Sequence, residues 1–180
     1  MSMRLAYVAP LFLAAMGVAG CQPTRIDDLL VSCPTLTLPA DLADLTRYRP
    51  GAPPDLSTVV IDARVTAVDA NCRRGRRDQS VDAIISMRFQ MDRGPAAPTR
   101  QVQIPWFLAL LDADNNVINR QTFVLPAQFG ANTTRAAVSS QPVEISFPVG
   151  QQRRAQDYRI MVGFQLTEEE LAMNRRRGPR

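Results

Sequence analysis

The chain of 180 residues contains no histidine, and all 21 of its basic residues are arginine, so lysine is absent as well. Without histidine there is no Ser-His-Asp or Cys-His relay and no imidazole ligand for a metal. Without lysine there is no phosphate-loop ammonium, no Schiff base and no Ser-Lys pair. Paired carboxylates of the glycosidase kind survive this exclusion. Most of the acids, however, stand singly, as at Asp62, Asp69, Asp82 and Asp92. No catalytic residue and no cofactor site is therefore expected. A net charge of +4 is modest and does not call for a nucleic acid partner. Long apolar runs are missing too. The run at residues 5–19, LAYVAPLFLAAMGVA, falls short of the roughly 20 residues a spanning helix needs.

That run does have the form of a targeting signal. Arg4 supplies a short positive start, residues 5–19 an apolar core, and small residues follow. A buried N-terminal element is the competing reading, and it sits poorly with Pro10 inside the run. The segment VAGC, ending at Cys21, resembles the lipobox of bacterial lipoproteins. The resemblance implies diacylglyceryl transfer to the Cys21 thiol, cleavage before Cys21, and N-acylation. An anchor of that kind exceeds the two-signal requirement for stable membrane attachment. Gln22 stands where Asp favours inner-membrane retention in Gram-negative sorting, so the expected address is the outer membrane, facing the periplasm. A periplasmic address also argues against nucleic acid.

Cys33 and Cys72 then remain as an even pair in an oxidising compartment, where disulfides persist. A Cys33–Cys72 bridge is expected, with two free buried thiols as the alternative. It would close a loop of about 40 residues, a constraint of roughly 4 kcal/mol in the chain-entropy view. Two thiols without histidine fall short of a zinc site, so no metal is expected.

Beyond the signal, residues 22–32 read as a tether, at most about 40 Å long when fully extended. Residues 33–38 alternate as a first strand. Residues 39–55 hold four prolines and a glycine and read as a crossing loop, with one short helical turn at residues 41–48. From Ser57 the period becomes two. Val59, Ile61, Ala63, Val65 and Ala67 alternate with a second set. Val81, Ala83, Ile85, Met87, Phe89 and Met91 do the same after a turn. QVQIPWFLALLD is a strand apolar on both faces, and VINRQTFVL returns from a turn. PVEISFPV and DYRIMVGFQL each place apolar residues on one face. About seven strands with turn signals between them predict an all-β fold, an antiparallel β-sandwich. The order resembles small immunoglobulin-like modules on bacterial envelope proteins, where a hairpin like LLDADNNVI recurs. Residues 33–177 also resemble a group of Gram-negative envelope lipoproteins with tails like VGFQLTEEELAMNRRR, a group that brings no assigned activity. The expected organisation is a signal at 1–20, a lipidated tether at 21–32, a sandwich at 33–167, and a short helix with a basic tail at 168–180.

Four features bear on function. The run DADNN, from Asp112, starts like a calcium loop. That loop needs Gly sixth and Glu twelfth, and this chain has Val117 and Phe123, so a hairpin turn is the better reading. The arginine turn RRGRR supplies Arg73, Arg74, Arg76 and Arg77, which suit phosphate or carboxylate groups; a solvated hairpin tip is the plainer reading. In the tail, Thr167 and Glu170 fit a capping box. Arg175, Arg176 and Arg177 suit the helix end, and Gly178-Pro179 stop it. Finally, IPWFLALL carries a second apolar face, Phe107, Ala109 and Leu111. Residues 39–50, the tail helix or another protein must cover it, and self-cover is the expectation. The functional expectation is a non-enzymatic, lipid-anchored module that docks an envelope protein through Arg73–Arg77 or the tail arginines. The alternative is a binder of anionic envelope ligands through the same clusters: lipid head groups, lipopolysaccharide or an acidic polymer.

Overall fold

A computed structural model describes residues 31–180. Cys21 and the signal lie outside the described residues. Two sheets pack face to face with a ten-residue helix at the C-terminus, the expected β-sandwich. Among the described residues there are nine strands rather than about seven. They are β1 (Thr35–Thr37), β2 (Asp44–Tyr48), β3 (Val59–Arg74), β4 (Ser80–Arg93), β5 (Gln101–Leu111), β6 (Val117–Gln128), β7 (Arg135–Ser139), β8 (Val143–Pro148) and β9 (Arg159–Phe164), followed by α1 (Glu168–Arg177). One sheet runs β1-β9-β5-β6; the other runs β2-β3-β4-β7, with β8 also on β4. The described pairings are antiparallel except β1 with β9.

The two added strands correct the sequence reading. Residues 44–48 form strand β2 on the edge of β3, not a helical turn; the helical part shrinks to a 3-10 turn at Ala40–Leu42. The reason is tertiary, because β3 offers a free edge and α1 closes over the new strand. Strands β7 and β8 are two halves of one edge along β4. Ser140 spans their gap: its N–H donates to Met87 O (2.8 Å) and its Oγ accepts from Met87 N (3.0 Å).

Alternation makes the core. Val81, Ala83, Ile85, Met87, Phe89 and Met91 on β4 are all buried, because successive strand residues point to opposite faces. They meet Ile104, Trp106, Leu108 and Leu110 from β5 and Ile160, Val162 and Phe164 from β9. The Phe89 ring lies 5.5 Å from Phe164 and 6.4 Å from Trp106. Each such side chain contributes about 1.5–3 kcal/mol when fully buried.

A bulge in β3 breaks the expected pattern. Val65 pairs with Phe89 but Ala67 pairs with Arg88, leaving Thr66 unpaired in the ladder. One extra residue flips every later side chain to the other face. Val68 and Cys72, not Ala67, therefore turn toward the core. Opposite Ala83, Cys72 meets Cys33, and the two form a disulfide with Cα atoms 5.5 Å apart. The bridge ties the sheet edge that begins at β1 to the opposite sheet.

The second face of β5 is covered from within. Phe107, Ala109 and Leu111 pack with Leu42 and Met161, and the Arg120 guanidinium sits 4.6 Å from the Phe107 ring centroid. Gly163 lets the cover close: a Cβ there would lie 2.7 Å from Leu42 Cβ.

Candidate functional site

The structure separates the two arginine clusters. Along β3, Arg64 sits beside Asp44 in the helix half of the sandwich, and Arg74 ends the strand ten residues later. At about 3.3 Å per residue that places the clusters roughly 30 Å apart. They do not form one surface.

The tail cluster is built into the fold. Thr167 and Glu170 form the expected capping box, with Glu170 N donating to Thr167 Oγ1 and Thr167 N to Glu170 Oε2. Glu170 also accepts from Arg47 Nε at 2.8 Å. Asn174, buried, donates through Nδ2 to Asp41 O and Asp44 O. Arg175 donates to Asp41 Oδ2 at 3.0 Å, and Arg177 to Thr46 Oγ1 and Asn174 Oδ1. Arg176 is exposed. Arg180 completes the cluster, bonding both oxygens of Asp62 and Asp44 Oδ1 at 2.8–2.9 Å. Burial alone pushes Asp44 up, but hydrogen bonds from Arg64 and Arg180 and their charges outweigh it and hold the carboxyl below its ordinary value. The Arg180 guanidinium is pushed up, first by its bond to Asp62. Asp44 is thus a fixed anion and not a proton shuttle. Sequence reading missed this network because its partners lie 118 to 136 residues apart, beyond any local spacing rule.

The hairpin cluster divides differently. Arg73 clamps Glu144 with two bonds, at 2.9 and 2.8 Å, and lies 3.6 Å from Asp82. Arg74 pairs with Asp78 at 3.7 Å. Arg76 and Arg77 are exposed on the 3-10 turn Arg76–Asp78; the Arg76 carbonyl accepts from Gln79 N at 3.2 Å, while neither guanidinium makes a hydrogen bond or ion pair among the described residues. The turn is held by Gly75 N donating to Ser80 O, and Val149 N to Gln79 O. The chain is tight at Gly75: a Cβ there would fall 1.9 Å from Ser80 Oγ, so that hydroxyl would have to turn away.

At Asp112 the structure forms a turn. Asp112 Oδ1 accepts from Asp114 N and Asn116 N, at 3.0 and 2.8 Å, and Asn115 takes the left-handed conformation (φ 65°). These bonds, the Asn116 backbone first, hold the Asp112 carboxyl below its ordinary value. Arg159 bonds the Asn115 side chain. No group of three or more metal-ligating side chains occurs among the described residues.

A third feature was not visible in the sequence. On the flank where β6 and the β7/β8 edge face each other, a cavity of about 340 Å3 opens, lined by Trp106, Phe123, Val124, Leu125, Val138, Ser140 and Val143 among others. Trp106 stacks on Phe123 with centroids 4.5 Å apart. Val124 is 58% exposed at its rim. Strand β6 has β5 on one side only, so its other edge presents free backbone donors and acceptors. Part of the signal was there, in the alternation of VINRQTFVL; the missing half was β7.

Comparison with protein families, with curated proteins and with solved structures finds no match. Among the described residues no helix is long and apolar enough to cross a membrane.

Proposed function

We propose that this chain is a non-enzymatic, lipid-anchored module of the bacterial envelope, held through Cys21 at the periplasmic face of the outer membrane, that docks another envelope protein. The observation that carries the docking reading is the flank between β6 and β7/β8. There a free strand edge borders an apolar cleft floored by Trp106 and Phe123. A partner strand added to β6 would satisfy the open backbone groups and bury an alternate side chain in the cleft. The anchor rests on the VAGC segment after a short apolar run. The Cys33–Cys72 bridge fits an oxidising compartment.

A second reading, binding of anionic envelope material, is favoured by the unpaired Arg76 and Arg77. Two measurements test the pair. Radiolabelled palmitate should appear on the wild-type chain and not on Cys21→Ala; label retained on that variant ends the lipoprotein reading. Envelope pull-downs at low and high salt separate the rest. Apolar cleft contacts persist as salt rises, whereas exposed charge contacts fade with screening.

A further inference from the structure

Resting on the lipid-anchored reading, we infer that the β3–β4 hairpin tip is a membrane-contact site. Arg76 and Arg77 engage the phosphates of anionic phospholipid headgroups in the leaflet that holds the Cys21 anchor, and the sandwich stands with this end on the bilayer. The argument begins with where the tether joins the domain. The described chain starts at Val31, and Cys33 is bonded to Cys72. From Cys72 to Arg76 is four residues, which span at most about 14 Å. The disulfide therefore fixes the root of the tether beside the tip. Strand β1 starts at the same end, with Thr35 paired to Arg159.

Reach disfavours the opposite orientation. Cys72 lies 13 residues along β3 from Val59, about 43 Å at strand rise. For the far end to rest on the membrane, the tether from Cys21 to Cys33 would have to stretch to its full length of about 40–43 Å. With the hairpin end down no such span is required.

Charge points the same way. Arg73 and Arg74 are paired within the chain, while the guanidinium groups of Arg76 and Arg77 are exposed and bond to nothing described. Guanidinium is the donor that grips phosphate bidentately. Acids share this end: Asp78 is paired to Arg74, and Asp112, Asp114 and Asp157 lie on the neighbouring loops. They confine the contact to the hairpin side. Two arginines near an anionic leaflet favour the tip-down orientation roughly 30-fold.

The test uses the lipidated mature protein in nanodiscs of phosphatidylcholine, with and without phosphatidylglycerol. Hydrogen exchange is read across residues 75–79. Exchange there should slow in the anionic discs only. The protection should vanish in the Arg76→Gln/Arg77→Gln variant and weaken as salt rises. Unchanged exchange at the tip of the lipidated protein, or protection on α1 instead, overturns the orientation. An intact mass without lipid on Cys21 overturns the anchoring reading and the orientation with it, and the mass tells the two failures apart.

Discussion

Replacing Cys33 and Cys72 by serine removes a cross-link between residues 39 apart in sequence. In the chain-entropy view, a closed loop of that length restricts the unfolded chain by about 4 kcal/mol, and native bridges in small secreted domains contribute about 2–5 kcal/mol. The structure adds a local term. Strand β1 has only three residues and pairs with β9 alone, so little besides the bridge and the packing of Val31, Leu36 and Leu38 holds that edge. Urea unfolding followed through Trp106, which is buried against Phe89 and Phe123, reads the loss directly. With a slope of about 2 kcal/mol/M the midpoint should fall by about 2 M. The hydrogen exchange of β1 should quicken before that of β4 or β5. A midpoint shift under about 0.5 M would refute the reasoning, because the bridge would then constrain a chain already held together in its unfolded state.

Three further outcomes follow from single contacts. The Asp44 carboxyl is held below its ordinary value, so the unfolded chain binds that proton first as pH falls. The stability it contributes is full above the ordinary aspartate range and is lost as pH drops below about 4. Asp44→Asn should flatten that acid limb and lower stability at neutral pH by about 1–3 kcal/mol, measured as urea midpoints across pH. Gly163→Ala should cost about 1–3 kcal/mol by overpacking, since its Cβ would meet Leu42 at 2.7 Å; an unchanged melting temperature would mean that the 40–42 turn yields freely. Replacing Arg175, Arg177 and Arg180 by Gln should lower the melting temperature, while Arg76→Gln/Arg77→Gln should stay within about 0.5 kcal/mol of wild type.

How much of this was legible depends on how local the determining contacts are. β4 was readable because its alternation runs unbroken from Val81 to Met91. Helix α1 was readable because its start, Thr167 with Glu170, and its stop, Gly178-Pro179, are written within a few residues. The Asp112 turn was readable for the same reason. The bulge at Thr66 was not: Val65, Thr66, Ala67 and Val68 all suit a strand, and nothing among them marks the slip. Strand β2 was hidden because it is polar on the side that meets α1. Its buried residues include Asp44 and Thr46, whose burial makes sense only once Arg64, Arg177 and Arg180 stand beside them. The flank cleft needed β7, a strand of five residues with no strong pattern.

The two arginine clusters are close to identical as sequence, yet their surroundings assign them different work. The tail arginines face Asp41, Asp44 and Asp62, and these acids hold Arg175, Arg177 and Arg180 against the sandwich. At the hairpin tip the adjacent acids Asp78, Asp82 and Glu144 are engaged by Arg73 and Arg74, and the guanidinium groups of Arg76 and Arg77 stay exposed. The cleft between β6 and β7/β8 lies on the flank, at mid-height on the core, where Trp106 meets Phe123 and Val138 pairs with Phe89. A domain standing on its hairpin tip would keep that flank open, so membrane contact and partner docking would use separate surfaces. The two readings are then separable by mutation. A charge placed at Val124 should abolish partner capture and leave the lipid-dependent protection of residues 75–79 intact. Removing Arg76 and Arg77 should do the reverse. If either change abolished both, one surface would be serving both roles, and the division between tip and flank would be wrong.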